Sequence, residues 1–183
     1  MHITVLNGNP HTDNNAFDGY LGALSNQLES HGHTVTVFTL REMDIKHCIG
    51  CWGCWLKTPG ECITKDDSSV ICREYINSDL VLFASPVIMG FTSALLKKIH
   101  DKFVPLIHPY LELVDGEVHH LARYGKYPMM GLLLEKGRDV DQEDLEIITD
   151  IYRRDAINFK TTLSFARLTS MPIEEVADEI DHI

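Results

Sequence analysis

The segment that most limits the fold is Asp79-Leu80-Val81-Leu82-Phe83-Ala84, apolar at nearly every position and stopped by Ser85-Pro86. A strand with one wet face alternates polar and apolar residues. A run without alternation predicts a strand buried on both faces, as in parallel sheets covered by helices. Such a sheet needs helical crossovers, and the rest of the chain alternates accordingly. His2–Leu6 reads as a first strand, broken by Asn7-Gly8-Asn9-Pro10. Phe17, Tyr20, Leu21, Leu24 and Leu28 then recur at helical spacing, and Gly32 stops the helix. His33–Leu40 alternates as a second strand.

Asp66-Asp67-Ser68-Ser69 predicts a helix start, because these side chains accept from free backbone N–H groups. After the buried third strand a helix is expected from about Thr92 to Phe103. Met129–Leu134 reads as a fourth strand and Asp139–Ile157 as a helix, with acids early and Arg153-Arg154 late to suit its dipole. Phe159–Leu168 reads as a fifth strand. Met171–Ile183 reads as a short last helix with Pro172 at its first position. Residues 47–66 form a cysteine-rich loop. Residues 104–127 show no steady period and read as a long surface connection. The alternation implies an α/β three-layer sandwich over residues 1–183, a single domain. Its five-stranded parallel sheet takes the flavodoxin-like order 2-1-3-4-5. In that order the connections after strands one and three leave in opposite directions. The crevice at their C-terminal ends is the expected ligand site.

Charge narrows the function. The net charge of −11 argues against a nucleic-acid backbone or an anionic membrane surface as partner. No apolar run approaches the ~20 residues a membrane helix needs. The chain enters its first strand without a secretory-type segment, and five cysteines then suggest a reducing, cytoplasmic compartment.

Two loops meet at the expected crevice. Gly8 to Ala16 lies between a strand and a helix, where free N–H groups and the helix dipole suit a phosphate. Asn9, Asn14 and Asn15 add side-chain donors, and His11 adds charge when protonated. Ser85 to Thr92 follows the buried strand and offers Pro86, Val87, Ile88, Met89 and Gly90: backbone amides with an apolar face, suited to a flat heteroaromatic ring. No Ser-His-Asp set or paired carboxylates can be argued, so no conventional catalytic residue is expected.

The cysteines pose a separate question. Cys48, Cys51, Cys54 and Cys62 follow C-x2-C-x2-C-x7-C, interleaved with Trp52 and Trp55. They hold a metal or cluster, carry thiol chemistry, or fill a dry corner. Zinc sites favour two separated pairs, whereas this wrapping is closer to cubane ligation. Cys72 sits in a helical pattern and reads as a buried small hydrophobe.

Together these pieces resemble flavodoxin-like NAD(P)H-dependent FMN reductases, closest to their iron–sulfur flavoprotein branch. Three stretches carry the likeness: Leu6 to Ala16, the cysteine stretch with Pro59-Gly60 and Asp66-Asp67, and Ser85 to Gly90 with Leu96-Lys97 and Asp101-Lys102. The resemblance implies FMN at the crevice and NAD(P)H as co-substrate. It implies electron transfer to a quinone, flavin or other small acceptor, and a homodimer or homotetramer. The alternative is a flavodoxin-like electron carrier serving a redox protein. The resemblance also implies a [4Fe–4S] cluster on Cys48, Cys51, Cys54 and Cys62. Asn9, His11 and Ala16 stand where Ser, Arg and Thr are usual, and Ile88 where Tyr is usual. Loss of a fixed charge and two hydroxyls predicts weaker or pH-sensitive FMN binding.

Overall fold

The computed structural model describes residues 1–183. In chain order the elements are β1 (His2–Asn7), α1 (Asn15–Ser30), β2 (Thr34–Thr39), α2 (Gly53–Leu56), α3 (Ser68–Asn77), β3 (Leu80–Ile88), β4 (Phe91–Thr92) and α4 (Ala94–His100). There follow β5 (Ile107–Val114), β6 (Glu117–Ala122), β7 (Met129–Glu135), α5 (Gln142–Asn158), β8 (Leu163–Leu168) and α6 (Ile173–Asp181). Short 3-10 turns cover Leu40–Glu42 and Asp101–Leu106.

The main sheet has the order β2-β1-β3-β7-β8, all parallel, with β4 added antiparallel to the end of β3. The flavodoxin-like order holds. β3 shows why its run does not alternate. Val81 and Phe83 join the core on one face, with Tyr75, Phe103 and Tyr152. Leu80, Leu82 and Ala84 join the core on the other, with Phe17, Leu21, Leu24 and Val176. Every residue from Leu80 to Ala84 is fully buried. Each large side chain buried this way stabilises the fold by about 1.5–3 kcal/mol relative to leaving it exposed.

Three expectations need correction. The third strand does not stop at Ser85-Pro86 but runs to Ile88. β1 ends at Asn7 opposite Ala84, so beyond that point the β1 side of β3 is an edge, where a proline breaks no ladder. Thr92 is not helical. It pairs with Val87 across a two-residue turn of Met89 and Gly90, both at positive φ (52° and 74°). The helix starts at Ala94, capped by the Ser93 side chain.

The third correction is the stretch 104–127, which contains a second, two-stranded sheet. β5 and β6 form a hairpin turned by Asp115-Gly116, both at positive φ. Asp-Gly is the strongest local sign of such a turn. An irregularity in pairing between Ile107 and Leu111 hides the alternation that would have framed it.

Candidate functional site

The β1–α1 loop is held from within. Asn9 is fully buried, and its amide donates to the Asn14 carbonyl and to Asp18. Its Oδ1 accepts from the His11 N–H, and its own N–H donates to Asn7 Oδ1. Asn14 caps α1 by accepting from the Phe17 N–H, while its amide donates to Glu135 at the end of β7 (2.7 Å). Of the three loop asparagines, Asn15 alone keeps an amide without a protein partner. The N–H groups of Thr12, Asp13, Asn14, Asn15 and Ala16 donate to no protein acceptor. They form an anion-receptive rim at the helix start, with the dipole behind it.

Arg41, from the 3-10 turn after β2, supports this loop from beneath. It donates to the Asn9 carbonyl and pairs with Asp18 at 3.0 Å. Burial works against the Asp18 carboxylate, but hydrogen bonds from Asn7, Asn9 and Arg41 outweigh it and hold its pKa below the usual range. The two charges cancel, so the rim itself relies on backbone dipoles. Nothing local in the sequence marks Arg41, which lies 32 residues from Asn9.

The second loop lies against the first. Ser93 joins them: its hydroxyl donates to the Gly8 carbonyl and accepts from the Leu96 N–H, and its N–H donates to Ser85 Oγ. The Asn9–Ala16 loop and the Pro86–Gly90 loop thus leave the C-terminal ends of the neighbouring strands β1 and β3, the rim of the expected crevice, with Gly90 turned toward Asp144 near the start of α5. His11, Asn15, Ala16, Ile88 and Met89 are exposed on the open side of the crevice, Met89 at 99%. Replacing Ser93 by Ala should lower unfolding stability in urea by about 1–3 kcal/mol, because one change removes a helix cap and leaves the buried Gly8 carbonyl without that donor.

The four cysteines meet elsewhere. Cys48, Cys51, Cys54 and Cys62 all line one cavity of about 90 Å³, together with Ile49, Ile63, Val104 and Pro105. None is in a disulfide. Gly50 and Trp52 take positive φ (64° and 57°) and turn the chain between successive cysteines. A Cβ on Gly53 would lie 2.6 Å from Ile63, so the two arms of the loop cross at a glycine. The neck of the loop is zipped: the Asp44 N–H donates to Asp67, the Lys46 N–H to Asp66, and the Asp67 N–H to the Asp44 carbonyl. Trp55 stacks on Trp52 and donates to the Val104 and Ile107 carbonyls, pinning the loop to the start of β5.

Burial pushes the Cys54 thiol up, and the three other cysteines add to the shift. Cys72 stands apart, its thiol pushed up to about 12 chiefly by burial, as expected of an inert packing residue.

Lys102 closes one side of the cavity. Its ammonium lies 3.0 Å from Asp66 and 3.2 Å from the Cys62 sulfur. Burial raises the Asp66 pKa, but donors from Ser68, the Lys46 backbone and Lys102 overcome this and set it at about 2. Its unfolded value is near 3.8. The folded state thus holds its proton less tightly, and the stabilisation is complete above the unfolded value. Acidification from about pH 5 to pH 2 should remove about 2 kcal/mol from this group, seen as a falling urea midpoint.

The family profile described as NADPH-dependent FMN reductase matches residues 1–115, which include both crevice loops and the cysteine loop. An iron–sulfur flavoprotein of Archaeoglobus fulgidus is 34% identical over 108 residues, covering 59% of this chain and 48% of that protein. Another, of Methanocaldococcus jannaschii, is 30% identical over 106 residues, covering 58% and 53%. The chain spans about half the length of these curated relatives. Among solved structures, NAD(P)H:quinone oxidoreductase from Methanothermobacter marburgensis superposes with a TM-score of 0.65 at 17% identity, covering 99% of this chain and 93% of that one. An FMN-dependent NADH-azoreductase from Bacillus anthracis, in complex with FMN, gives 0.64 at 11% identity, covering 100% and 95%. At these identities the two structures bear on the fold alone. With its profile match running from β1 through the cysteine loop and both crevice loops, this chain belongs to the NADPH-dependent FMN reductase family.

Proposed function

We propose that the chain binds FMN at the crevice and acts as an oxidoreductase, taking electrons from NAD(P)H and delivering them to a small acceptor such as a quinone or a second flavin. The observation that carries this reading is the rim of five unpartnered N–H groups from Thr12 to Ala16, set where β1 and β3 part. Those groups would hold the phosphate, joined by Asn15 and His11, on a loop that Asn9 and Asn14 keep in shape. The backbone of Pro86 to Gly90 would receive the ring. Bound flavin supplies the hydride and electron chemistry, which accounts for a site without an acid–base pair. What the protein adds is position: Ser93 and Glu135 tie the loops from either side.

The cysteine cavity fits a [4Fe–4S] cluster held by Cys48, Cys51, Cys54 and Cys62. Four free cysteines line one small apolar space, and their C-x2-C-x2-C-x7-C wrapping is closer to cubane ligation than to the separated pairs of zinc sites. Such a group would supply single-electron transfer. The exposure of Cys48 and Cys51 favours a second reading, a carrier passing single electrons to a protein partner. A second copy of the chain would cover the open side of the crevice. The hairpin is the proposed contact, since Tyr110, Leu111, Leu113 and Val118 are each more than half exposed on an isolated two-stranded sheet.

The test is anaerobic. FMN-loaded protein is mixed with NADH or NADPH and the flavin absorbance followed. Bleaching with either supports the reductase. Absence of bleaching with both removes it and leaves the carrier. Failure to bind FMN at all removes both. Iron and sulfide analysis after anaerobic reconstitution decides the cluster.

A further inference from the structure

Lys102 has no part in the chemistry described above, yet it is among the most deeply buried side chains of the molecule, 1% exposed, against an Asp66 side chain at 0%. A buried ion pair is weak evidence for a stabilising role, since well-packed apolar residues often do as well or better. Asp66 already accepts from the Ser68 N–H and hydroxyl and the Lys46 N–H. The distinctive contact of Lys102 is the other one, 3.2 Å to the sulfur of Cys62. It is also the only lysine or arginine lining the cysteine cavity. The remaining ionisable groups there, besides the cysteines, are His47 and Asp101.

We propose that Lys102 is the fixed counter-cation of the cysteine cavity, setting the reduction potential of the cluster that Cys48, Cys51, Cys54 and Cys62 hold, with Asp66 fixing its position and damping its charge. This rests on the cluster reading above. Adding one electron makes the cluster and its four thiolates more negative by one charge. A cation against one ligand sulfur, in an apolar cavity, stabilises the reduced form more than the oxidised form. Lys102 stays protonated throughout and exchanges no proton, so the step is a pure electron gain. It raises the potential.

The experiment compares wild type with Lys102→Met, Lys102→Arg and Asp66→Asn, each reconstituted anaerobically and assayed for iron and sulfide. Dithionite then supplies electrons in a mediated potentiometric titration read by visible absorbance and electron paramagnetic resonance. Lys102→Met should favour the oxidised form by at least tenfold, a shift of about 59 mV to more negative potential for one electron. Lys102→Arg should stay near wild type. Asp66→Asn should move the opposite way, because it removes a negative charge and leaves the cation. Loss of the cluster in the Met variant but not the Arg variant supports the same assignment. Loss in both would reduce Lys102 to a packing role and overturn it. So would an unchanged potential in a fully loaded Met variant, or shifts of the same sign in the Met and Asn variants. Wild type without iron after reconstitution overturns the cluster reading and this proposal with it, and is read before any variant is made.

Discussion

Replacing Asp66 by Ala should cost about 3–5 kcal/mol of unfolding stability, because it strands a buried ammonium without its carboxylate. The Asp66 carboxylate and the Lys102 ammonium are both shut off from water at 3.0 Å. Asp66 also accepts from the Lys46 and Ser68 N–H groups, so the change opens the neck of the cysteine loop as well. Urea unfolding of iron-free protein, followed by far-UV circular dichroism, measures the loss. Asp66→Asn should lose less, since its one side-chain oxygen still accepts from either the Ser68 or the Lys46 N–H, where alanine accepts from neither. Equal losses for Ala and Asn would place the cost in the charge alone. A loss under 1 kcal/mol for Ala would show that Lys102 escapes to solvent when its partner goes.

Gly8→Val should weaken FMN binding by tenfold or more, at a cost of about 1–3 kcal/mol in stability from overpacking. A Cβ at Gly8 would stand 3.0 Å from the Ala84 carbonyl, from Leu96 and from the Ser93 hydroxyl together. The carbonyl cannot swing aside, because it accepts the Gly8 N–H at 2.8 Å. The loop itself must lift, carrying the rim of N–H groups away from the end of β3. Quenching of flavin fluorescence on titration with apoprotein reads the affinity. Binding as tight as wild type, in a folded variant, would mean that the rim from Thr12 to Ala16 does not hold the phosphate.

The two variants probe different centres, and the centres differ in how visible they are in the sequence. The crevice loops were legible because each is a local event. Asn7-Gly8-Asn9-Pro10 must break a strand, and Asn14 must cap the helix that follows, whatever the rest of the chain does. The roles within the loop were less legible. Asn9 and Asn14 read as donors toward a ligand, but the fold turns their amides onto Asp18, the Asn14 carbonyl and Glu135. The hairpin at Asp115-Gly116 carried a clear turn signal that the irregular pairing of its strands obscured. Met89-Gly90 carried less, since methionine at positive φ has no sequence signature and is a strained choice.

Periodicity and punctuation act over a few residues, so the sequence by itself determined the alternation of strands and helices, and with it a parallel sheet, and the breaks that end β1 and open the loop after β3; the strand order was the one that five such strands favour. The sequence also determined that four cysteines share one loop. Contacts between distant segments are decided by which faces the crossovers bring together. Only the tertiary structure placed Arg41 beneath the phosphate loop, Ser93 across the crevice, and all four sulfurs around one cavity. It alone set Lys102 against Asp66 and Cys62, residues 36 and 40 positions away, as the one lysine or arginine lining the cysteine cavity.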